Sequence, residues 1–408
     1  MEKKDKNLNV PNLRFPEFSG EWESVRLGDV CKFFSGGTPS STNKDFYGGD
    51  IPFIRSGEIH SSSTELYISE AGLNSSSAKI IEQGDLLLAL YGATSGDIAI
   101  SKIKGAINQA ILCIRTNHDN FFLKSCWEKH CRKLLQTYLQ GGQGNLSADI
   151  VKSIKMSFPS CLEQKKISGL LALIEERIET QKKIIEDLKK LKGAIAEKLF
   201  CAPEEESPEL RIVNSSDRWI SYRLKDVCQR VSERNSQGLS SLVLTIAAQY
   251  GLVSQTDFFN KSVASENLSN YYLIQKGDFA YNKSYSREYV WGAVKRLELY
   301  EKGVLSPLYI CFRPNPLIVN SDFLSHYFET HKWHNGIAQI AGEGARNHGL
   351  LNVSISDYFA TLHRLPGLAE QKKIASYLNM LSDKISLANK ELKCYSSQKQ
   401  YLLARMFI

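Results

Sequence analysis

One stretch of this chain is written twice. Pro159 to Phe200 reads PSCLEQKKISGLLALIEERIETQKKIIEDLKKLKGAIAEKLF, and Pro366 to Phe407 reads PGLAEQKKIASYLNMLSDKISLANKELKCYSSQKQYLLARMF, 207 positions later without a gap. Glu163-Gln164-Lys165-Lys166-Ile167 returns as Glu370-Gln371-Lys372-Lys373-Ile374. In the first copy Ile167, Leu171, Ile174, Ile178, Ile185, Leu188, Ile195 and Leu199 fall on the seam of a heptad repeat. Ile374, Leu378, Leu381, Ile385, Leu392, Tyr395, Leu402 and Met406 hold the same positions in the second. Gln181 and Lys192 interrupt the first seam, and Ala388 and Lys399 stand in their places in the second. Each copy starts just after a proline, where a missing N–H costs a helix nothing. Roughly 40 residues at about 1.5 Å each predict a rod of about 60 Å. A lone amphipathic rod of that length must bury its seam, and its own copy is the nearest partner. Antiparallel pairing of the two rods is the expectation.

The segments before the rods are fainter copies. Trp22…Arg26-Leu27-Gly28-Asp29-Val30-Cys31 is echoed by Trp219…Arg223-Leu224-Lys225-Asp226-Val227-Cys228, and Ile81…Gly84-Asp85 by Ile274…Gly277-Asp278. The chain therefore reads as two units, each a globular domain followed by a rod. The expected boundaries are an N-terminal arm at 1–20, a domain at 21–158, a spacer helix at 159–200, a linker at 201–217, a second domain at 218–365 and a second spacer helix at 366–408. The acidic linker, with Pro203 and Pro208, reads as a flexible exit. Strands are expected at 50–55, 85–90, 98–100 and 110–114, and a helix at 121–138. The fold class is α+β: two mixed α/β domains joined by two long antiparallel coiled-coil helices with an internal pseudo-two-fold repeat.

Nine cysteines without a C-x-x-C pair, no long apolar run and no signal-like start predict a reduced, cytoplasmic protein with no membrane partner. A net charge of +7 leans toward a polyanionic partner. No H-E-x-x-H is present, and His331-x-x-His334 alone does not make a metal site. No phosphate-binding Gly-x-x-x-x-Gly-Lys-Ser/Thr loop occurs, and no carboxylate pair is arranged for acid–base work. These absences point to a binding subunit with no catalytic residue and no metal of its own. The alternatives are a non-catalytic coiled-coil scaffold carrying two protein-binding modules, and a stand-alone enzyme.

Trp22…Arg26-Leu27-Gly28-Asp29-Val30, Ser35-Gly36-Gly37-Thr38-Pro39, Gly49-Asp50-Ile51-Pro52 and Pro366-x-x-x-Glu370-Gln371-Lys372-Lys373-Ile374 follow one another in the order seen in a known family. The chain resembles the specificity subunits of type I restriction–modification enzymes over nearly its whole length. The Ser35–Pro39 loop has no counterpart in the second half. The resemblance implies two target recognition domains on conserved helical regions, reading an asymmetric bipartite sequence in double-stranded DNA. It implies partnership with two modification subunits, which methylate adenine with S-adenosylmethionine, and with two restriction subunits, which use ATP and Mg for translocation and cleavage. No cofactor is implied in this chain. Glu163, Gln164, Glu370 and Gln371, at the rod starts, would be part of the docking surface for the modification subunits.

Base edges are read by Arg, Lys, Asn and Gln, and phosphates by cations, hydroxyls and backbone N–H groups. Candidates therefore lie in or beside the Gly- and Ser-rich loops. In the first domain they are Thr38, Arg55, Ser56, Tyr91, Thr94, Gln143 and Asn145. In the second they are Lys283, Ser284, Tyr285, Arg287, Arg346, Asn347 and His348.

Overall fold

The computed structural model describes residues 9–138, 146–212, 217–247, 251–259, 267–342 and 349–408. Both long repeats are helical: α2 spans Cys161–Leu199 and α4 spans Leu368–Met406. The chain divides into two compact units, Met1–Lys182 with Lys390–Ile408, and Lys183–Asn389. Each long helix thus contributes residues to both units.

In the first unit the central sheet has the order β2–β9–β6–β7, formed by Cys31–Ser35, Ile111–Thr116, Leu86–Ala89 and Ile98–Ile100. Its middle strand β6 is the run Leu-Leu-Leu-Ala, buried throughout. Leu86 and Leu88 point to one side, where Phe122, Leu123 and Trp127 of helix α1 (Asn120–Tyr138) pack with Ile167 and Leu171 of α2 and Leu403 and Met406 of α4. Leu87 and Ala89 point to the other, where a second sheet packs on them. That sheet has the order β4–β3–β8–β5, from Leu66–Ile68, Tyr47–Ile54, Gly105–Ile107 and Lys79–Ile81. Burial on both faces explains why β6 does not alternate apolar with polar. The strand and helix expectations for this domain match these elements. A pairing that the sequence did not suggest closes the domain: β1 (Glu23–Arg26) runs antiparallel to β10 (Lys155–Phe158).

The second unit repeats the plan. Its central sheet is β12–β19–β16–β17, from Cys228–Arg230, Ile310–Pro314, Phe279–Asn282 and Ala293–Arg296. Phe279, Tyr281 and Phe312 face Phe323, Leu324 and Tyr327 of helix α3 (Ser321–Tyr327), in one core with Leu199 of α2 and Ile374 and Leu378 of α4. Ala280 and Cys311 face a second layer built from two short ladders. These are β13 with β14 (Leu244–Ala247, Gly251–Ser254) and β15 with β18 (Tyr272–Gln275, Lys302–Leu305). The closing pair returns as β11 with β20, Ile220–Arg223 against Leu362–Leu365.

Within the first unit α2 and α4 run antiparallel: Glu175 meets Lys399 at 2.6 Å, and further along α2 Gln181 donates to Glu391 at 2.9 Å. The polar interruptions of the seam are thereby accounted for. Lys399 is bonded to Glu175 and to Glu128 of α1, and Lys124 bridges the same two carboxylates. In the second unit Lys192 pairs with Glu329 at 2.8 Å. Each seam lysine thus ties its globular domain to a long helix.

The linker is not a loose exit. Leu210 N–H donates to the Lys198 carbonyl at 2.9 Å, and Arg211 clamps Glu370 with bonds of 3.0 and 2.5 Å. The N-terminal arm does the same in the first unit: Leu13 N–H donates to Arg405, and Arg14 clamps Glu163 at 2.7 and 2.8 Å. Pro11-Asn12-Leu13-Arg14 and Pro208-Glu209-Leu210-Arg211 are a further pair of copies, 197 positions apart like Trp22 and Trp219. Acidic composition hid this motif.

Candidate nucleic-acid interface

The described first-unit candidates gather where β6, β8 and β3 end. The turn Asn108-Gln109-Ala110 follows β8, and three segments meet it. Asn108 N–H donates to the Ile54 carbonyl, next to Arg55 and Ser56, and Leu90 N–H, next to Tyr91, donates to the Ala110 carbonyl. Thr38 Oγ1 donates to Gln109 Oε1 at 2.6 Å. Tyr91 is exposed, and the loop that holds it and Thr94 is closed by Gly96 N–H on the Ala89 carbonyl. Gly92 and Gly96, at φ of +77° and +90°, supply the left-handed backbone that the loop requires.

The glycines beside Thr38 have another role than close approach of a ligand. A Cβ on Gly36 would lie 1.7 Å from the Ile107 carbonyl oxygen, and one on Gly37 would lie 2.6 Å from Ser77 Cβ. The chain itself fills that space, pressing the loop against the end of β8. Arg55 is also engaged: its guanidinium binds Glu58 at 3.1 Å and Glu65 at 2.7 Å. Burial works to raise the Glu58 pKa, but the Arg55 hydrogen bonds overcome it and hold the carboxyl at about 2. These bonds use Arg55 Nε and Nη2 and neutralise its charge locally.

In the second unit Lys283, Ser284 and Tyr285 continue from β16. Ser284 bridges Leu350, Tyr285 N–H donates to the Gly349 carbonyl at 3.0 Å, and Leu351 N–H donates to the Lys283 carbonyl at 2.9 Å. Arg287 is exposed. In the first unit Leu146 N–H donates to the Leu90 carbonyl, so both units join the same two loop regions by backbone bonds. Gln143, Asn145, Arg346, Asn347 and His348 lie outside the described residues.

Glu163, Gln164, Glu370 and Gln371 are buried, each 6% exposed or less. Gln164 donates to the Pro159 carbonyl and accepts from Asp119 N–H; Gln371 donates to the Pro366 carbonyl and accepts from Asn320 N–H. The glutamates are held by Arg14 and Arg211. The expectation that these four face a partner gives way to an internal role: they lock each long helix to its domain, because a buried amide or carboxylate must be paired. The Gly-Asp echo is structural too. Gly84 and Gly277 both turn at φ +93°, and Asp85 and Asp278 accept bidentate bonds from Arg115 and Arg313. Among the described residues no cluster of three or more His, Cys, Asp or Glu could hold a metal, and no helix is long and apolar enough to cross a membrane.

Residues 19–190 match the family model described as the type I restriction modification DNA specificity domain. That stretch is similar to a type I specificity domain. It lies in a chain whose likeness to such proteins runs further than the match. The chain is 25% identical to the type I restriction enzyme MjaVIII specificity subunit of Methanocaldococcus jannaschii, over 98% of this chain and 95% of that protein. It is 29% identical to the HindI specificity subunit of Haemophilus influenzae over 36% of this chain and 35% of that one. The fold is shared with the crystal structure of a type I S subunit from M. genitalium, at a TM-score of 0.58 and 14% identity, covering 98% of this chain and 99% of that one. A chain from a structure of type I complex assembly and conformational transition gives a TM-score of 0.56 at 16% identity, covering 95% of this chain and 97% of that one.

Gln109, in the turn that the candidate segments share, has a role in this cluster that its own sequence neighbourhood does not announce. The repeat carries a signal. Lys104-Gly105-Ala106-Ile107-Asn108-Gln109-Ala110-Ile111-Leu112-Cys113-Ile114-Arg115 aligns without a gap with Lys302-Gly303-Val304-Leu305-Ser306-Pro307-Leu308-Tyr309-Ile310-Cys311-Phe312-Arg313. Within it the turn residues differ most.

Proposed function

We propose that this chain is the DNA sequence-reading, non-catalytic subunit of a type I restriction–modification complex, each unit reading one half of an asymmetric bipartite target. One observation carries the reading. The two units repeat the central sheet order, the Gly-Asp turn and the Glu-Gln helix start, and they differ in the loops at the end of β6 and β16. A repeated scaffold with unlike loops suits two unlike half-sites. The long helices, each shared by both units, set the spacing between half-sites; matching faces of duplex DNA recur about every 34 Å.

Two modification subunits supply S-adenosylmethionine and adenine methylation, and two restriction subunits supply ATP- and Mg-dependent translocation and cleavage, in the cytoplasm. Docking of the modification subunits runs along the outer faces of the long helices, since the Glu-Gln starts are buried. Of the residues proposed to contact DNA, Thr38, Ser56, Tyr91 and Thr94 border one turn, and Lys283, Ser284, Tyr285 and Arg287 follow one strand. Sequencing the methylome of the host with and without this gene tests the reading. Loss of N6-methyladenine at one asymmetric bipartite motif is expected, and an unchanged methylome would overturn it.

A further inference from the structure

We propose that Gln109 determines specificity at one base pair of the first half-site and that Thr38 is its positioning residue. The proposal rests on the reading of the chain as a DNA sequence reader and goes beyond it by naming the residue and the edge it reads. Gln109 is exposed at the centre of the candidate cluster, in the turn on which the Thr38, Arg55 and Tyr91 segments converge. Its side chain is held from one side: Oε1 accepts from Thr38 Oγ1 at 2.6 Å, and Nε2 has no partner among the described residues. Thr38 in turn cannot drift, because Gly36 and Gly37 seat its loop against Ile107 and Ser77 with no room for a Cβ.

An amide fixed through its oxygen offers two N–H donors at a set place. The base edge suited to it is one of acceptors, the N7 and O6 of guanine in the major groove. Adenine also needs the amide oxygen as an acceptor, and Thr38 already takes one of that oxygen's two lone pairs, so the arrangement favours guanine over adenine. In the gapless alignment of the two units the counterpart of Gln109 is Pro307, which has neither amide nor N–H. The second unit cannot make this contact, so the feature also makes the two half-sites unlike.

The test selects bound duplexes from a randomised DNA library, using the full chain co-purified with its modification subunit. The wild-type complex selecting a bipartite motif establishes the reading itself; selection of no motif overturns that reading. Gln109→Ala is expected to lower affinity for the wild-type target about tenfold to a hundredfold and to flatten the preference at one guanine, leaving the other half-site and the melting temperature unchanged. Thr38→Val is expected to relax the same position, and Thr38→Ser to restore it, which a merely structural threonine would not show. A wild-type motif kept in full by Gln109→Ala overturns the proposal while leaving the reading intact. A response at adenine overturns the assignment of the held oxygen.

Discussion

Beyond β8 the first unit turns through Asn108-Gln109-Ala110; beyond β18 the second turns through Ser306-Pro307-Leu308. Immediately after both turns come the strands that carry Arg115 and Arg313, and these make the same bidentate bonds to Asp85 and Asp278. The difference shows where the repeat is held and where it is free. Positions that satisfy buried polar groups recur, because losing either partner leaves a desolvated charge or amide. Turns at the sheet end answer to no internal partner of that kind, and there the units part. The seam lysines show an intermediate case. Lys399 and Lys192 both reach a glutamate of the globular domain, Glu128 or Glu329. The first unit adds Lys124 and Glu175 to the pair, while Ser325 and Ser382 stand at the equivalent positions of the second.

The largest expected effect tests the sameness. Glu163→Ala leaves Arg14 without its carboxylate, and Glu370→Ala does the same to Arg211; each should destabilise its own unit by about 3 kcal/mol. Hydrogen exchange resolved by unit checks this, and a loss confined to one of the two variants breaks the equivalence. Next comes a test of difference. His363 lies between the Tyr327 hydroxyl and Thr361 Oγ1, and burial pushes its pKa down to about 4. The unfolded chain takes up a proton near pH 6.5 that the folded unit refuses, so stability falls as pH drops from about 6.5 toward about 4. At pH 5 the second unit should lose about 2 kcal/mol on this account. The counterpart in the closing strand of the first unit is Met156, and His363→Met should remove the loss. Unit-resolved exchange at pH 7.5 and pH 5 reads it; equal acid sensitivity in wild type and variant would remove His363 from the account. The smallest effect concerns Gly84→Ala and Gly277→Ala. Both positions hold φ +93° in open space, so each variant pays only backbone strain, about 1–2 kcal/mol, seen as matched shifts in denaturant midpoint. Unmatched shifts would show that the two turns bear unequal load.

Much of this molecule was legible in its residues. Heptad spacing from Ile167 to Leu199 foretold the long helices, because a 3.5-residue period has one structural reading at that length. Leu86 to Leu90 read as a strand for its apolar run. The linker was misread because Glu204, Glu205 and Glu206 suggest solvation, whereas Leu210 and Arg211 fix it through one backbone bond and one ion pair. Arg55 looked free because its carboxylate partners, three and ten residues on, meet it only through the bend after β3. The resemblance put Glu163 and Gln164 on a docking surface, whereas their burial depends on Arg14 and Asp119 arriving from elsewhere.

Periodicity and duplication, which are local or one-dimensional properties, determined from sequence alone that this chain makes two similar domains and two long apolar-seamed helices. Tertiary structure decided which polar side chains are paired inside and which stay exposed at the strand ends. That choice depends on partners remote in sequence: Gln109 is held by Thr38, 71 residues earlier, and proline stands in its place in the second unit.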